Sequence, residues 1–81
     1  MNENKSKLAV FIGYDIPSAL DAKWNIIIPK LNQRFEMVDY EGDNVHVVNN
    51  EEEITMIENL VEGYNRLLEI NLTLEVFEID G

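Results

Sequence analysis

Apolar and polar residues change their period several times along this chain, and the changes divide it into elements. Residues 7–14 (KLAVFIGY) form a mostly apolar run closed by Asp15, Ile16 and Pro17, the pattern of a buried strand. Beyond it the period lengthens, with Leu20, Trp24, Ile27 (with Ile28), Leu31 and Phe35 recurring at helical spacing. Pro17 suits a helix start, and Ser18 with Asp21 three residues on has the form of a capping box. Pro29 conflicts with this period, because an interior proline removes a hydrogen bond and costs about 3 kcal/mol. The pattern therefore predicts either one kinked helix to about Gln33 or two short helices with Pro29 in the first turn of the second.

Residues 35–40 and 44–48 read as two short strands around Glu41, Gly42, Asp43 and Asn44, whose Gly, Asp and Asn are turn formers, so a hairpin is expected. A second helix follows. Asn50 can cap it, Glu53 sits three residues later, and Glu51, Glu52 and Glu53 crowd the first turn, where the helix dipole favours negative charge. Ile54, Ile57, Leu60, Val61, Tyr64, Leu67 and Leu68 form its apolar stripe. Residues 72–79 predict a last strand, with Leu72, Leu74 and Val76 on one face and Thr73, Glu75 and Phe77 on the other. The order β-α-β-β-α-β resembles the split βαβ or ferredoxin-like sandwich. That implies an α+β fold, a four-stranded antiparallel sheet with two helices on one face and the other face open. Residues 1–7 are expected to be a polar tail and residues 8–81 one domain, near the lower size limit for a single core. A fold shared by so many functions decides none of them.

Composition narrows the setting. With no cysteine in 81 residues there is no disulfide framework, thiolate metal site or cysteine nucleophile, which suits a reducing compartment. The longest apolar run, Leu8 to Ile12, is far short of the roughly 20 residues that span a bilayer, and the polar start lacks a signal-peptide core. The expectation is a cytoplasmic protein that does not engage membrane.

Charge changes the picture most. Residues 1–34 hold five bases against three acids, whereas residues 35–81 hold thirteen acids against Arg66 alone, so the net −10 resides entirely in the second part. A concentrated negative field attracts basic surfaces and repels nucleic acid and anionic lipid. On an ideal helix Glu51, Glu58, Glu62 and Glu69 fall within about 40° of one another, opposite the apolar stripe. They are spaced roughly 10, 6 and 10 Å apart along its axis, a range that overlaps the spacing of phosphates on a strand. Any amphipathic helix solvates its outer face. Glu58 and Glu62, however, repel at i, i+4, a pattern that helix stability alone does not favour.

Other candidate chemistry is thin. Asp39, Glu41 and Asp43 begin like a calcium loop, but Asn44 stands where the sharp turn needs glycine and Asn50 where a glutamate ligand belongs. They read as a solvated turn that extends the negative surface. His46 is the only histidine and reads as structural, Ser6 and Ser18 have no histidine beside them, and no glycine-rich phosphate loop occurs. No catalytic residue, metal site or cofactor is expected. Phe11 and Phe77 are expected on the open sheet face, where RNA-recognition domains stack bases, but Glu75 and Glu78 beside them oppose nucleic acid and fit a protein interface.

Two functions follow as expectations. The first is a small non-enzymatic inhibitor or modulator that binds a basic, nucleic-acid-binding protein by imitating nucleic-acid charge. Its surface would be Glu51, Glu58, Glu62 and Glu69, the hairpin acids Asp39, Glu41 and Asp43, and Glu75 and Glu78, with Phe11 and Phe77 as anchors. In size, acidity and composition the chain resembles the DNA-mimic and anti-defence proteins of phages, including some anti-CRISPR proteins, which implies a bacterial or phage-infected host cell. The second is a structural or assembly domain that forms a homodimer, or docks into a larger complex, through the open sheet face.

Overall fold

The computed structural model describes residues 6–80, so the expected tail lies outside the described residues as far as residue 5. Ser6 and Lys7 already belong to the first strand, β1 (Ser6–Tyr14). A continuous right-handed helical stretch follows: α1 (Pro17–Ala22), a π-helical turn (Lys23–Ile27) and α2 (Ile28–Asn32). Then come β2 (Glu36–Tyr40), β3 (Asp43–Val48), α3 (Glu51–Leu68) and β4 (Leu72–Asp80). The fold is α+β. Its four strands form one antiparallel sheet in the order β2-β3-β1-β4.

Alternation decides what each strand buries. Val10, Ile12, Val48 and Leu72 point to the helical side and share one core with Ala19, Ile27 and Leu31 of the first helical stretch and Ile57 and Val61 of α3. Strands β1 and β4 pair along their whole length, from Ser6 opposite Asp80 to Tyr14 opposite Leu72. The ladder between β1 and β3 is shorter, running from Leu8 opposite Val48 only to Val10 opposite His46. Past Val10 the two central strands part, which leaves a seam in the middle of the sheet.

The first helical region divides as the second of the two expectations has it: α1 ends at Ala22, and Pro29 lies in the first turn of α2. Between them the turn widens, with the Ile28 N–H donating to the Lys23 carbonyl, five residues back rather than four. The wider turn relieves the clash that a proline ring makes with the carbonyl four residues earlier. It also inserts one extra residue, about 100° of helix, into the apolar stripe. Up to the start of the turn the buried positions are therefore Ala19, Ala22 and Lys23 in place of the expected Leu20 and Trp24, and Trp24 is 40 % exposed. The Ser18 capping box does not form either. Ile16 is the N-cap, no side chain caps the end, and the Ile16 carbonyl accepts from Ala19 and Leu20.

The other local signals translate directly. Asn50 Oδ1 accepts from the Glu53 N–H at 3.0 Å, and the Glu53 carboxylate accepts from the Asn49 N–H at 2.7 Å. The hairpin turn is two residues long, since Asp43 and Asn44 already belong to β3. Glu41 (φ 54°) and Gly42 (φ 89°) are both left-handed, the type I′ geometry that matches strand twist. The stripe of α3 ends sooner than expected. Leu68 faces α1 and the π turn across a cleft, but Leu67 is 73 % exposed and turned away from it.

Asn65 contributes a contact that no local pattern announces. Its side chain clasps the backbone of Leu72, accepting from the N–H at 2.7 Å and donating to the carbonyl at 2.9 Å, and so ties the end of α3 to the start of β4. Asn65→Ala is expected to cost about 2–3 kcal/mol, because both half-buried backbone groups lose their partner. Asn65→Asp should recover only part of that loss, since a carboxylate can accept but not donate. Urea unfolding of the two variants tests the order.

Candidate functional site

The face of the sheet away from the helices is not bare. Its side chains are Val38 and Tyr40 from β2, Val45 and Val47 from β3, Ala9 and Phe11 from β1, and Phe77 and Ile79 from β4, and they pack into a second, smaller cluster. Tyr40 and Phe77 come from opposite edge strands, yet their rings lie 5.5 Å apart at 37°, a tilted aromatic contact. Sheet twist brings the two corners together, and Ala9 and Val45 become fully buried. Phe11, Tyr40 and Phe77 are themselves half-buried and line a shallow cavity of about 270 Å³.

Three of the expected acids stand around this cavity. Glu75 is paired with Phe11 across the β1–β4 ladder, Asp43 with Tyr40 across the hairpin, and Glu41 occupies the turn. All three are exposed. Phe11 and Phe77 therefore meet the expected acids as a group. Tyr40 is the member that sequence reasoning missed, although its alternation with Val38 put it on the same face.

Lys23 was missed altogether. It is 4 % exposed, and its ammonium lies 4.5 Å from the centre of the Phe11 ring, with Trp24 at 5.4 Å and Tyr14 at 6.0 Å. The charge is thus held by ring faces near the seam where β1 and β3 part. Burial pushes the Lys23 amine below its usual range, and the nearby Asp43 carboxylate opposes that shift. His46, beneath the sheet, is fully buried, and its Nε2 donates to Asn32 Oδ1 at 2.9 Å while Nδ1 has no partner. Burial first, and the positive charge of Lys23 second, push its pKa down to about 4.

The remaining acids fall elsewhere. Glu58 and Glu62 stand exposed on α3 and line a cavity of about 330 Å³ between that helix and Leu72 and Leu74 of β4. Glu51 and Glu78 share a larger cleft with Glu36, Lys7 and Arg34, where two bases offset part of the charge of three acids. Glu69 takes the left-handed cap after α3 (φ 56°) and faces Ser18 and Asp21. Asp39 accepts from the Gly42 N–H at 3.1 Å and braces the hairpin. The acids thus do not form one sheet of charge: Glu41, Asp43 and Glu75 lie on one side of the β-sheet, and Glu58 and Glu62 on the other, flanking the β4 edge. Among the described residues no cluster of three or more His, Cys, Asp or Glu side chains could hold a metal ion, and no helix is long and apolar enough to cross a membrane. Comparison with protein families, curated proteins and solved structures finds no match to this chain.

Proposed function

We propose that this chain is a ferredoxin-like sandwich that acts without catalysis, as an inhibitor or modulator binding a basic, nucleic-acid-binding protein in place of nucleic acid. The strand order β2-β3-β1-β4, with both helical stretches contributing to one core, supports the split βαβ assignment. The observation that carries the functional reading is exposure. All nine acids expected at the interface are exposed, in a segment where thirteen acids face a single arginine. Glu58, Glu62 and Glu75 border β4 from both sides of the sheet, and β4 is an edge strand with its outer backbone unpaired. A cationic groove that grips this edge would meet carboxylates on both walls.

Geometry favours a different partner over a second copy. Joining two open faces about a two-fold axis through the aromatic cavity would bring Glu41, Asp43 and Glu75 of each chain near their counterparts, and like charges in contact cost energy. Acids on an edge strand also keep it from pairing with other chains.

Binding to the partner is expected to weaken steeply between about 0.1 M and 1 M salt, as the Debye length falls from roughly 10 Å to 3 Å. Glu58→Lys with Glu62→Lys should weaken it by more than about 1 kcal/mol, roughly fivefold, while leaving the fold intact. The measurement is capture from bacterial lysate at graded salt, then titration of the captured protein with both forms of the chain and with competing duplex DNA or RNA. Affinity indifferent to salt, to the reversal and to competing nucleic acid would reject the reading.

A further inference from the structure

The cavity between Phe11, Tyr40 and Phe77 has the composition of a receptor for one cationic side chain. Aromatic faces attract a cation through their negative quadrupole, and the attraction strengthens where the rings exclude water. Tyr40 and Phe77 are already set against each other, and their cavity is rimmed by Glu41, Asp43 and Glu75. The molecule itself displays the preference, since one face of Phe11 holds the ammonium of Lys23 at 4.5 Å. Lys23 adds one positive charge nearby, against three carboxylates at the rim, so the cavity stays negative.

We infer that this cavity takes an arginine side chain of the basic partner, with the guanidinium stacked on the aromatic rings and its edge hydrogen-bonded by Glu75 or Asp43. Arginine fits better than lysine because its planar, weakly hydrated group can stack on a ring while its N–H donors reach carboxylates in the ring plane. The inference rests on the reading of the chain as a binder of a basic protein, and it names the contact that would fix the register of that complex.

The probe is a short blocked peptide, acetyl-Gly-Arg-Gly-amide, added at low salt to the isotope-labelled chain and followed by NMR. Shifts should concentrate at Phe11, Tyr40, Asp43, Glu75 and Phe77. Replacing arginine by citrulline, which keeps the shape and removes the charge, should weaken binding at least fivefold, and so should the Asp43→Asn, Glu75→Gln pair, which leaves the aromatic packing untouched. Shifts confined to Glu58 and Glu62 would overturn the cavity while sparing the acidic-binder reading. Equal affinity for citrulline or lysine peptides, or no saturable shift in the cavity, would overturn the arginine assignment. The lysate titration judges the broader reading independently, because it scores salt and the α3 reversal and not these residues.

Discussion

Lowering the pH from 7 to 4 is expected to remove about 3 kcal/mol of stability through one residue, His46. Its ring is fully buried, its Nε2 proton is committed to Asn32, and Nδ1 faces no acceptor. A second proton would put a charge in that setting, with the Lys23 ammonium nearby, so burial and that charge hold the pKa at about 4 against an ordinary 6.5. Below pH 6.5 the unfolded chain accordingly binds a proton that the native ring refuses. Stability from this source is complete above 6.5 and drains away as the pH falls toward 4, at about 1.4 kcal/mol per unit.

Comparison with His46→Gln isolates the His46 contribution, since glutamine can still donate to Asn32 but does not titrate. Urea unfolding between pH 7 and 4.5 should give a steeper loss for the native chain than for the variant. Lys23→Met supplies a second control: with the ammonium gone, the midpoint of the His46 contribution should move upward. Parallel profiles for the native chain and His46→Gln would show that the buried imidazole is not the source.

What could be read from the sequence follows from how local each cause is. The cap of α3 and its stripe as far as Tyr64 are written within one helix. The hairpin is written in Gly42, which supplies one of two left-handed positions. The placement of Phe11, Phe77 and Glu75 on one face needs only period-two alternation. Lys23 was illegible because the π turn before Pro29 shifts the stripe by one residue, and an ideal period assigned the buried position to Trp24. The partners Asn32 with His46, Asn65 with Leu72 and Tyr40 with Phe77 depend on sheet order and twist, which no short window of residues encodes. Exposure of the acids was predictable from composition. Their division between the two sides of the sheet was not, because an ideal helix and an isolated strand carry no information about which flank of β4 each one meets.

Ile57→Ala is expected to cost about 3–4 kcal/mol, the largest loss from any truncation of α3. Ile57 is 1 % exposed, among the largest fully buried side chains, and belongs to the core that joins α3 to the sheet and to the first helical stretch. Truncation removes the transfer energy of the deleted groups and leaves a cavity that packed neighbours fill only in part. A domain of 81 residues holds roughly 4–12 kcal/mol in total, so this one change takes a large share. With a urea slope of about 1 kcal/mol/M for so small a domain, the midpoint should fall by about 3–4 M. Glu58, the next residue, supplies the contrast. It is exposed, and Glu58→Lys replaces a like-charge pair with Glu62 by an opposite one, so the midpoint should hold or rise slightly. Adjacent positions on one helix thereby test different things, Ile57 the core and Glu58 the binding surface. A midpoint within about 0.5 M of the native value for Ile57→Ala would mean that the core relaxes around the lost volume, and that α3 is held chiefly by its Asn50 cap and the Asn65 clasp.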